Sequence, residues 1–168
     1  MKLLHLGDMH LGKSLGEFDL YEDQKYILDR IIHIAREKAV DAVMIAGDVY
    51  DKSMPSEAAI NLLDYFLCEL SSMKVKTFII SGNHDSDDRL NYGRSLFEAN
   101  DIYISSVFDG TLHKRTMKDE YGYVDVYMLP FVKASQVRHY YPDADIKSYE
   151  DAVRTVIECA DIDKEHRN

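Results

Sequence analysis

The chain has 168 residues, 46% hydrophobic and 30% charged, which suits one folded domain and excludes a disordered chain. Its 20 basic residues against 30 acidic ones give a formal charge of −10, which excludes a protein that holds nucleic acid by charge alone. Cys68 and Cys159 share no metal-binding spacing, so a disulfide framework and a structural zinc site are both disfavoured. Without a signal peptide or membrane-spanning run in this sequence, we expect a cytoplasmic protein with no membrane contact.

Short apolar runs alternate with longer amphipathic segments along the first hundred residues. The pattern predicts strands over residues 1–7, 42–46, 75–80 and 101–105, and helices over 20–39, 56–73 and 89–99. Such alternation is typical of an α/β fold, in which crossovers build a parallel sheet flanked by helices. The pattern then changes to a predicted hairpin and two more helices, over residues 110–117 with 122–129, 133–141 and 148–160.

Polar side chains follow the first three predicted strands, each time directly after a glycine. The segments are Gly7-Asp8-Met9-His10, Gly47-Asp48-Val49-Tyr50-Asp51 and Gly82-Asn83-His84-Asp85. Because the carboxyl ends of parallel strands meet at one edge of a sheet, we expect these side chains to converge there. Aspartate, histidine and asparagine without thiolates favour Mn²⁺, Fe²⁺ or Zn²⁺, and two such ions side by side are suited to hydrolysing a phosphate ester.

Each of these segments has an ordinary explanation when it is taken alone. A single Asp-x-His or Gly-Asp after a strand is usually a turn or a helix cap. Three of them in this order, each after an apolar strand, favour a metal site over three unrelated turns.

The three segments resemble the first three signature motifs of the calcineurin-like metallophosphoesterases. The residues around them, including Leu11-Gly12-Lys13, Ser86 and Arg89, together with Tyr127-Met128-Leu129-Pro130-Phe131, resemble the SbcD type of DNA repair nuclease subunit. The resemblance covers nearly the whole chain. It implies a metal-dependent DNA nuclease with 3′–5′ exonuclease and single-strand endonuclease activity, a homodimer, and an SbcC-like ATPase as partner. It also implies two Mn²⁺ ions that hydrolyse phosphodiesters, with Fe²⁺, Mg²⁺ or Zn²⁺ as alternatives.

The resemblance also assigns metal ligands. Carried over by position, Asp8 and His10 would bind the first metal ion, Asp48 would bridge both ions and Asn83 would bind the second.

Two catalytic roles and two DNA contacts complete the assignment. His84 would lie beside the scissile phosphate, where it orients the phosphate or protonates the leaving oxygen, and Asp85 would orient His84. Lys13 and Arg89 are predicted to contact DNA phosphates, with ordinary solvated charges as the alternative.

The family's pattern continues with a strand ending in histidine and a Gly-His-x-His segment, and no residues of this sequence match them. We therefore expect residues 1–168 to be the N-terminal part of a metallophosphoesterase domain, incomplete at its C-terminus, with weak metal binding and little activity. Two alternatives stay open: a general phosphoesterase acting on phosphoproteins, nucleotides or small phosphoesters, and a non-catalytic scaffold for dimerisation or partner docking.

Several apolar side chains are assigned to the core by their spacing. His5 is expected to be buried in the first strand, and Cys68 to act as a small core side chain. The helical residues Ile60, Leu63 and Leu96 are interpreted as core, with a helical dimer contact as the alternative.

Overall fold

The computed structural model describes all 168 residues, which form two compact units, Met1–Ser106 and Val107–Asn168. The strands of the first unit are β1 (Leu3–Gly7), β2 (Ser14–Leu15), β3 (Phe18–Asp19), β4 (Ala42–Ala46), β5 (Lys76–Ile80) and β6 (Ile102–Ser105). Its helices are α1 (Tyr21–Lys38), α2 (Glu57–Ser72), α3 (Asp87–Leu90) and α4 (Arg94–Glu98). The predicted α/β fold is thereby confirmed, with four of its strands in one parallel sheet of order β1-β4-β5-β6.

One face of this sheet packs on the long helices. A row of apolar side chains crosses the sheet in register and belongs to the core, namely Leu6, Ile45, Ile79 and Ile104. The core residues of α1 and α2 meet this row, and the two helices also contact each other. Consecutive strands in one direction with right-handed crossovers bring both helices to the same face.

The opposite face carries a different row. His5, Met44, Phe78 and Tyr103 lie side by side across the four strands, and the rings of Phe78 and Tyr103 stack at a centroid distance of 5.4 Å. His5 belongs to this face of the edge strand β1 and is exposed. The expectation of a buried His5 was therefore wrong. Helices α1 and α2 pack on the opposite face of the sheet and leave this face of the edge strand exposed at His5.

Helix α2 follows its amphipathic pattern closely. The Ser56 hydroxyl caps it by accepting a hydrogen bond from the Ala59 N–H, and Leu63 is 6% exposed. Ile60 is 44% exposed, so the core interpretation is wrong at that position. It is also wrong for Cys68, an exposed free thiol on the same helix.

The predicted helix over residues 89–99 is two short helices instead. Gly93 lies between α3 and α4 with φ of +78°, a left-handed conformation that glycine adopts without steric cost. The rotation that follows leaves Leu96 75% exposed.

The second unit pairs a hairpin with two helices. They are β7 (His113–Asp119), β8 (Gly122–Met128), α5 (Ala134–Tyr140) and α6 (Tyr149–Cys159). The hairpin and both helices confirm the predicted elements, and the unit has its own apolar core around Phe108, Val132, Val137, Ile146 and Val156. Arg167 adds to the edge of β8 as an isolated parallel bridge to Val124. None of the helices is long and apolar enough to cross a membrane.

Candidate metal centre

The segments after β1 and β4 are joined to each other by main-chain hydrogen bonds. The N–H of His10 donates to the Asp48 carbonyl at 2.9 Å, and the N–H of Leu11 donates to the Val49 carbonyl at 2.9 Å. A parallel bridge between Leu11 and Tyr50 continues this pairing. The pairing of the two strands thus extends past their ends and fixes the relative position of the polar side chains that follow.

Three of the four predicted metal ligands come together at this edge. Each of Asp8, His10 and Asp48 offers one ligand atom, and these atoms all lie within 4.8 Å of one another. His10 Nε2 is 3.8 Å from Asp48 Oδ2. Asn83, the fourth predicted ligand, is exposed in the segment that follows β5.

The same three residues have an unusual backbone conformation. Asp8, His10 and Asp48 have φ values of 51°, 44° and 47°, in the left-handed region. Each non-glycine residue held there costs about 1–2 kcal/mol. Such strained conformations persist only where the surrounding structure enforces them, and in enzymes they are concentrated at functional sites.

Asp85 joins the segments that follow β4 and β5. Its carboxylate accepts hydrogen bonds from the N–H groups of Val49 at 3.1 Å, Tyr50 at 3.0 Å and Gly82 at 2.9 Å. Three charge-assisted bonds of this kind satisfy the carboxylate and hold both segments together. Asp85 therefore acts on the position of the segments, and its predicted effect on His84 stays a prediction.

His84 lies against the group of Asp8, His10 and Asp48, called here the metal-ligand cluster. Its N–H donates to Asp48 Oδ1 at 3.0 Å, and its ring is edge-on to that of His10 with centroids 5.1 Å apart. His84 Nδ1 is 3.2 Å from the main-chain carbonyl of Asp51. A carbonyl only accepts hydrogen bonds, so a hydrogen bond here requires the proton on Nδ1, and Nε2 is the ring nitrogen that remains for other contacts.

Gly82 leaves the space that Asp48 occupies. A Cβ at Gly82 would lie 2.0 Å from Asp48 Oδ1 and 2.2 Å from the Asp48 nitrogen. Only glycine permits this approach, and it explains why a glycine precedes Asn83.

The donor set fits a divalent cation. His10 Nε2 lies 3.8 Å from Asp48 Oδ2, and the carboxylate of Asp8 is exposed. Carboxylate oxygens and imidazole nitrogen without sulfur suit hard to intermediate divalent ions. Asp8 and Asp48 add negative charge at one point, which a bound cation would balance.

The two predicted DNA contacts fall in different places. Lys13 Nζ is 3.5 Å from Asp51 Oδ1, beside His10. Arg89 is exposed on α3 and lines a cavity of about 510 Å³ with Tyr50, Leu63 and Phe97. Lys13 thus lies beside the cluster, whereas Arg89 lines this cavity.

Two residues of the site were missed by sequence reasoning. The Gln24 side chain on α1 accepts a hydrogen bond from the Gly12 N–H at 2.9 Å and donates one to the His10 carbonyl at 2.8 Å. Asp51 places a carboxylate oxygen 3.5 Å from His10 Nδ1. No motif marks Gln24, whereas Asp51 ends the second polar segment and could have been suspected from that position.

Tyr50, next to Asp51 in the chain, is buried in the apolar core. Burial raises the pKa of its phenol to about 12, because the charged phenolate is disfavoured there, and the negative charge of Asp85 adds to the effect. The phenol therefore stays neutral across physiological pH.

A second group of ligand-type side chains lies in the second unit. Asp125, Asp163 and His166 also have ligand atoms within 4.8 Å of one another. The Asp125 carboxylate accepts hydrogen bonds from Lys114 Nζ at 2.8 Å and from Thr116 Oγ1, and His166 Nδ1 lies 3.1 Å from it. The ammonium group of Lys114 already neutralises Asp125, and the carboxylate has its hydrogen-bond partners within the unit.

A parallel sheet whose strand ends bring aspartate and histidine side chains together, with a second histidine beside them, fits a metal-dependent hydrolase of phosphate esters. The comparison with known families agrees, because the calcineurin-like phosphoesterase model matches residues 1–163. The chain belongs to the calcineurin-like phosphoesterase family, whose members bind divalent metal ions.

Proposed function

We propose that this phosphoesterase is a DNA nuclease subunit of the SbcD type, located in the cytoplasm, that cleaves phosphodiester bonds with Mn²⁺. The observation that carries the hydrolytic part is the convergence of Asp8, His10 and Asp48 beside His84. The resemblance of the residues around the motifs supports DNA as the substrate.

Four side chains are the proposed metal ligands. Asp8, His10, Asp48 and Asn83 would hold the metal ions, which supply Lewis-acid activation at the phosphate when bound. The two carboxylate oxygens of Asp48 face different neighbours, with Oδ1 toward the His84 N–H and Oδ2 toward His10. This arrangement supports the bridging role that we propose for Asp48.

His84 is the proposed proton donor. Its ring Nδ1 is held by the Asp51 carbonyl, so a protonated imidazole would present Nε2–H to the leaving oxygen. Replacing His84 with alanine should lower hydrolysis by about 10²–10⁴-fold and leave Mn²⁺ affinity unchanged. Loss of Mn²⁺ binding in this variant would instead make His84 a ligand.

One assay separates the proposal from its two alternatives. The protein is incubated with saturating Mn²⁺ and labelled duplex DNA, labelled single-stranded DNA or p-nitrophenyl phosphate. We expect the DNA to be shortened, but slowly, because the sequence matches only part of the family's set of metal ligands. Hydrolysis of the chromogenic ester with intact DNA would replace the nuclease by a general phosphoesterase, and absence of hydrolysis on all substrates would favour a scaffold.

We also propose that the protein forms a homodimer and binds an SbcC-like ATPase. The exposed Ile60 on α2 and Leu96 on α4 support an apolar contact with a second copy. Light scattering coupled to size-exclusion chromatography should show a dimer that Leu96→Lys converts to a monomer. A dimer that persists in Leu96→Lys would show that another surface forms the dimer contact. The second partner is tested by adding a purified SbcC-like ATPase, which should co-elute with the protein in size-exclusion chromatography.

A further inference from the structure

Asp51 lies between the two histidines of the site. Its N–H donates to the Leu11 carbonyl at 3.1 Å, and its carbonyl is 3.2 Å from His84 Nδ1. Its carboxylate Oδ1 is 3.5 Å from His10 Nδ1 and 3.5 Å from Lys13 Nζ. The main chain of Asp51 thus contacts one histidine, and its side chain approaches the other.

The Asp51 carboxylate approaches a nitrogen of the His10 ring that has no hydrogen-bond partner. His10 Nδ1 is buried and has no hydrogen-bond partner, while Nε2 is 3.8 Å from Asp48 Oδ2. The side chains of His10 and Asp51 are each only 20% exposed, so water has little access to the space between them. The Asp51 carboxylate places an acceptor oxygen 3.5 Å from the unpartnered nitrogen.

We propose that Asp51 is a positioning residue whose carboxylate holds the proton of His10 on Nδ1 and leaves the Nε2 lone pair facing the metal-ligand cluster. A carboxylate only accepts hydrogen bonds, so its partner nitrogen must carry the proton. Histidines that bind metals commonly donate their other ring N–H to such an acceptor, which fixes the tautomer and the ring orientation.

Lys13 makes this arrangement electrostatically tolerable. Asp8, Asp48 and Asp51 would otherwise place three negative charges around one imidazole, and Lys13 shares the same oxygen of Asp51 that faces His10. This interpretation gives Lys13 a role within the site that differs from the predicted phosphate contact.

The inference rests on the proposed function only in taking the cluster as a metal site, and the test begins without metal. Long-range ¹H–¹⁵N NMR spectra of the metal-free protein report which nitrogen of each histidine is protonated. We expect the Nδ1–H tautomer for His10 in the wild type and its loss in Asp51→Ala. Asp51→Asn keeps an acceptor oxygen of similar reach and should restore the tautomer.

His84 provides an internal control in the same spectra. Its Nδ1 contacts the main-chain carbonyl of residue 51, which every substitution retains, so its tautomer should stay unchanged. An equal change at both histidines would indicate a general disturbance of the loop and overturn the specific role of the carboxylate. If Asp51→Ala does not fold, Asp51→Ser, whose shorter side chain falls short of Nδ1, takes its place.

Calorimetric titration with Mn²⁺ gives the second measurement. We expect Asp51→Ala to lower Mn²⁺ affinity by about 10–100-fold. Asp143→Asn, at an exposed position of the second unit, removes one negative charge elsewhere and should leave the affinity unchanged. Unchanged His10 protonation and unchanged Mn²⁺ affinity in Asp51→Ala would overturn the inference. A wild type that shows the expected tautomer but binds no Mn²⁺ would contradict the proposed metal site and leave the positioning role intact.

Discussion

The two units each bring two aspartates and a histidine within ligand distance, yet the two groups differ in backbone conformation and in hydrogen bonding. In the first unit all three residues have left-handed backbones, and His10 Nδ1 has no hydrogen-bond partner. In the second unit the carboxylate of Asp125 is buried and receives hydrogen bonds from Lys114 and Thr116. Proximity of donor atoms is therefore a weak criterion for a metal site, and the hydrogen bonding of each donor has to be considered with it.

The largest expected effect follows from the close approach at Gly82. Gly82→Ala would drive a methyl group into Asp48, so the segments after β4 and β5 must separate. We expect loss of Mn²⁺ binding and a decrease of about 1–3 kcal/mol in the free energy of unfolding. Calorimetry and urea denaturation measure the two effects.

Gly16→Ala is the control for the Mn²⁺ binding in that experiment, although its φ of +62° means that alanine there should also cost some stability. Its added methyl group would meet no atom within 4 Å, so Mn²⁺ binding should persist. Equal loss of binding in both variants would contradict the steric explanation.

Exchanging histidine for alanine in each group compares the two units directly. His10→Ala should lower Mn²⁺ affinity by at least about tenfold, because it removes the imidazole donor. His166→Ala should leave the affinity unchanged, since Lys114 already neutralises Asp125. The electron paramagnetic resonance signal of free Mn²⁺ measures both affinities, and a decrease with His166→Ala would identify a second metal site.

Lowering the pH should destabilise the second unit by protonating Asp125. Hydrogen bonds from Lys114, and secondly from Thr116, lower the pKa of Asp125 to about 2. Because the folded pKa lies below the unfolded value of about 4, this carboxylate stabilises the fold at neutral pH. That contribution is lost as the pH falls from about 4 through about 2.

Asp125→Asn should consequently lower the melting temperature at pH 7. The difference from the wild type should shrink as the pH falls through that window, as followed by circular dichroism. A difference that stays constant down to pH 2 would show that the network stabilises the fold through shape and not through charge.

Much of the site could be predicted from the sequence because it depends on local signals. The strand over residues 42–46 has the predicted bounds, and the convergence of Asp8, His10 and Asp48 follows from parallel strands that end at one edge. The apolar run and the glycine after it are enough to make this prediction.

The remaining features depend on contacts between residues far apart in the chain. The hydrogen bonds of Gln24 to the segment after β1 join residues at least 12 positions apart, and no pattern within α1 announces them. The break at Gly93 had a local signal, since glycine is a poor helix former, but amphipathic spacing outweighed it in the prediction. The two-residue strands β2 and β3 are too short to show any alternation.

The left-handed backbone at His10 would set thermal stability against the metal binding proposed for its imidazole. Glycine adopts that conformation freely, so His10→Gly would relieve a steric cost of about 1–2 kcal/mol while deleting an imidazole. Laboratory evolution that rewards thermal survival alone would therefore tend to erase this position early, and only a simultaneous demand for turnover would retain it.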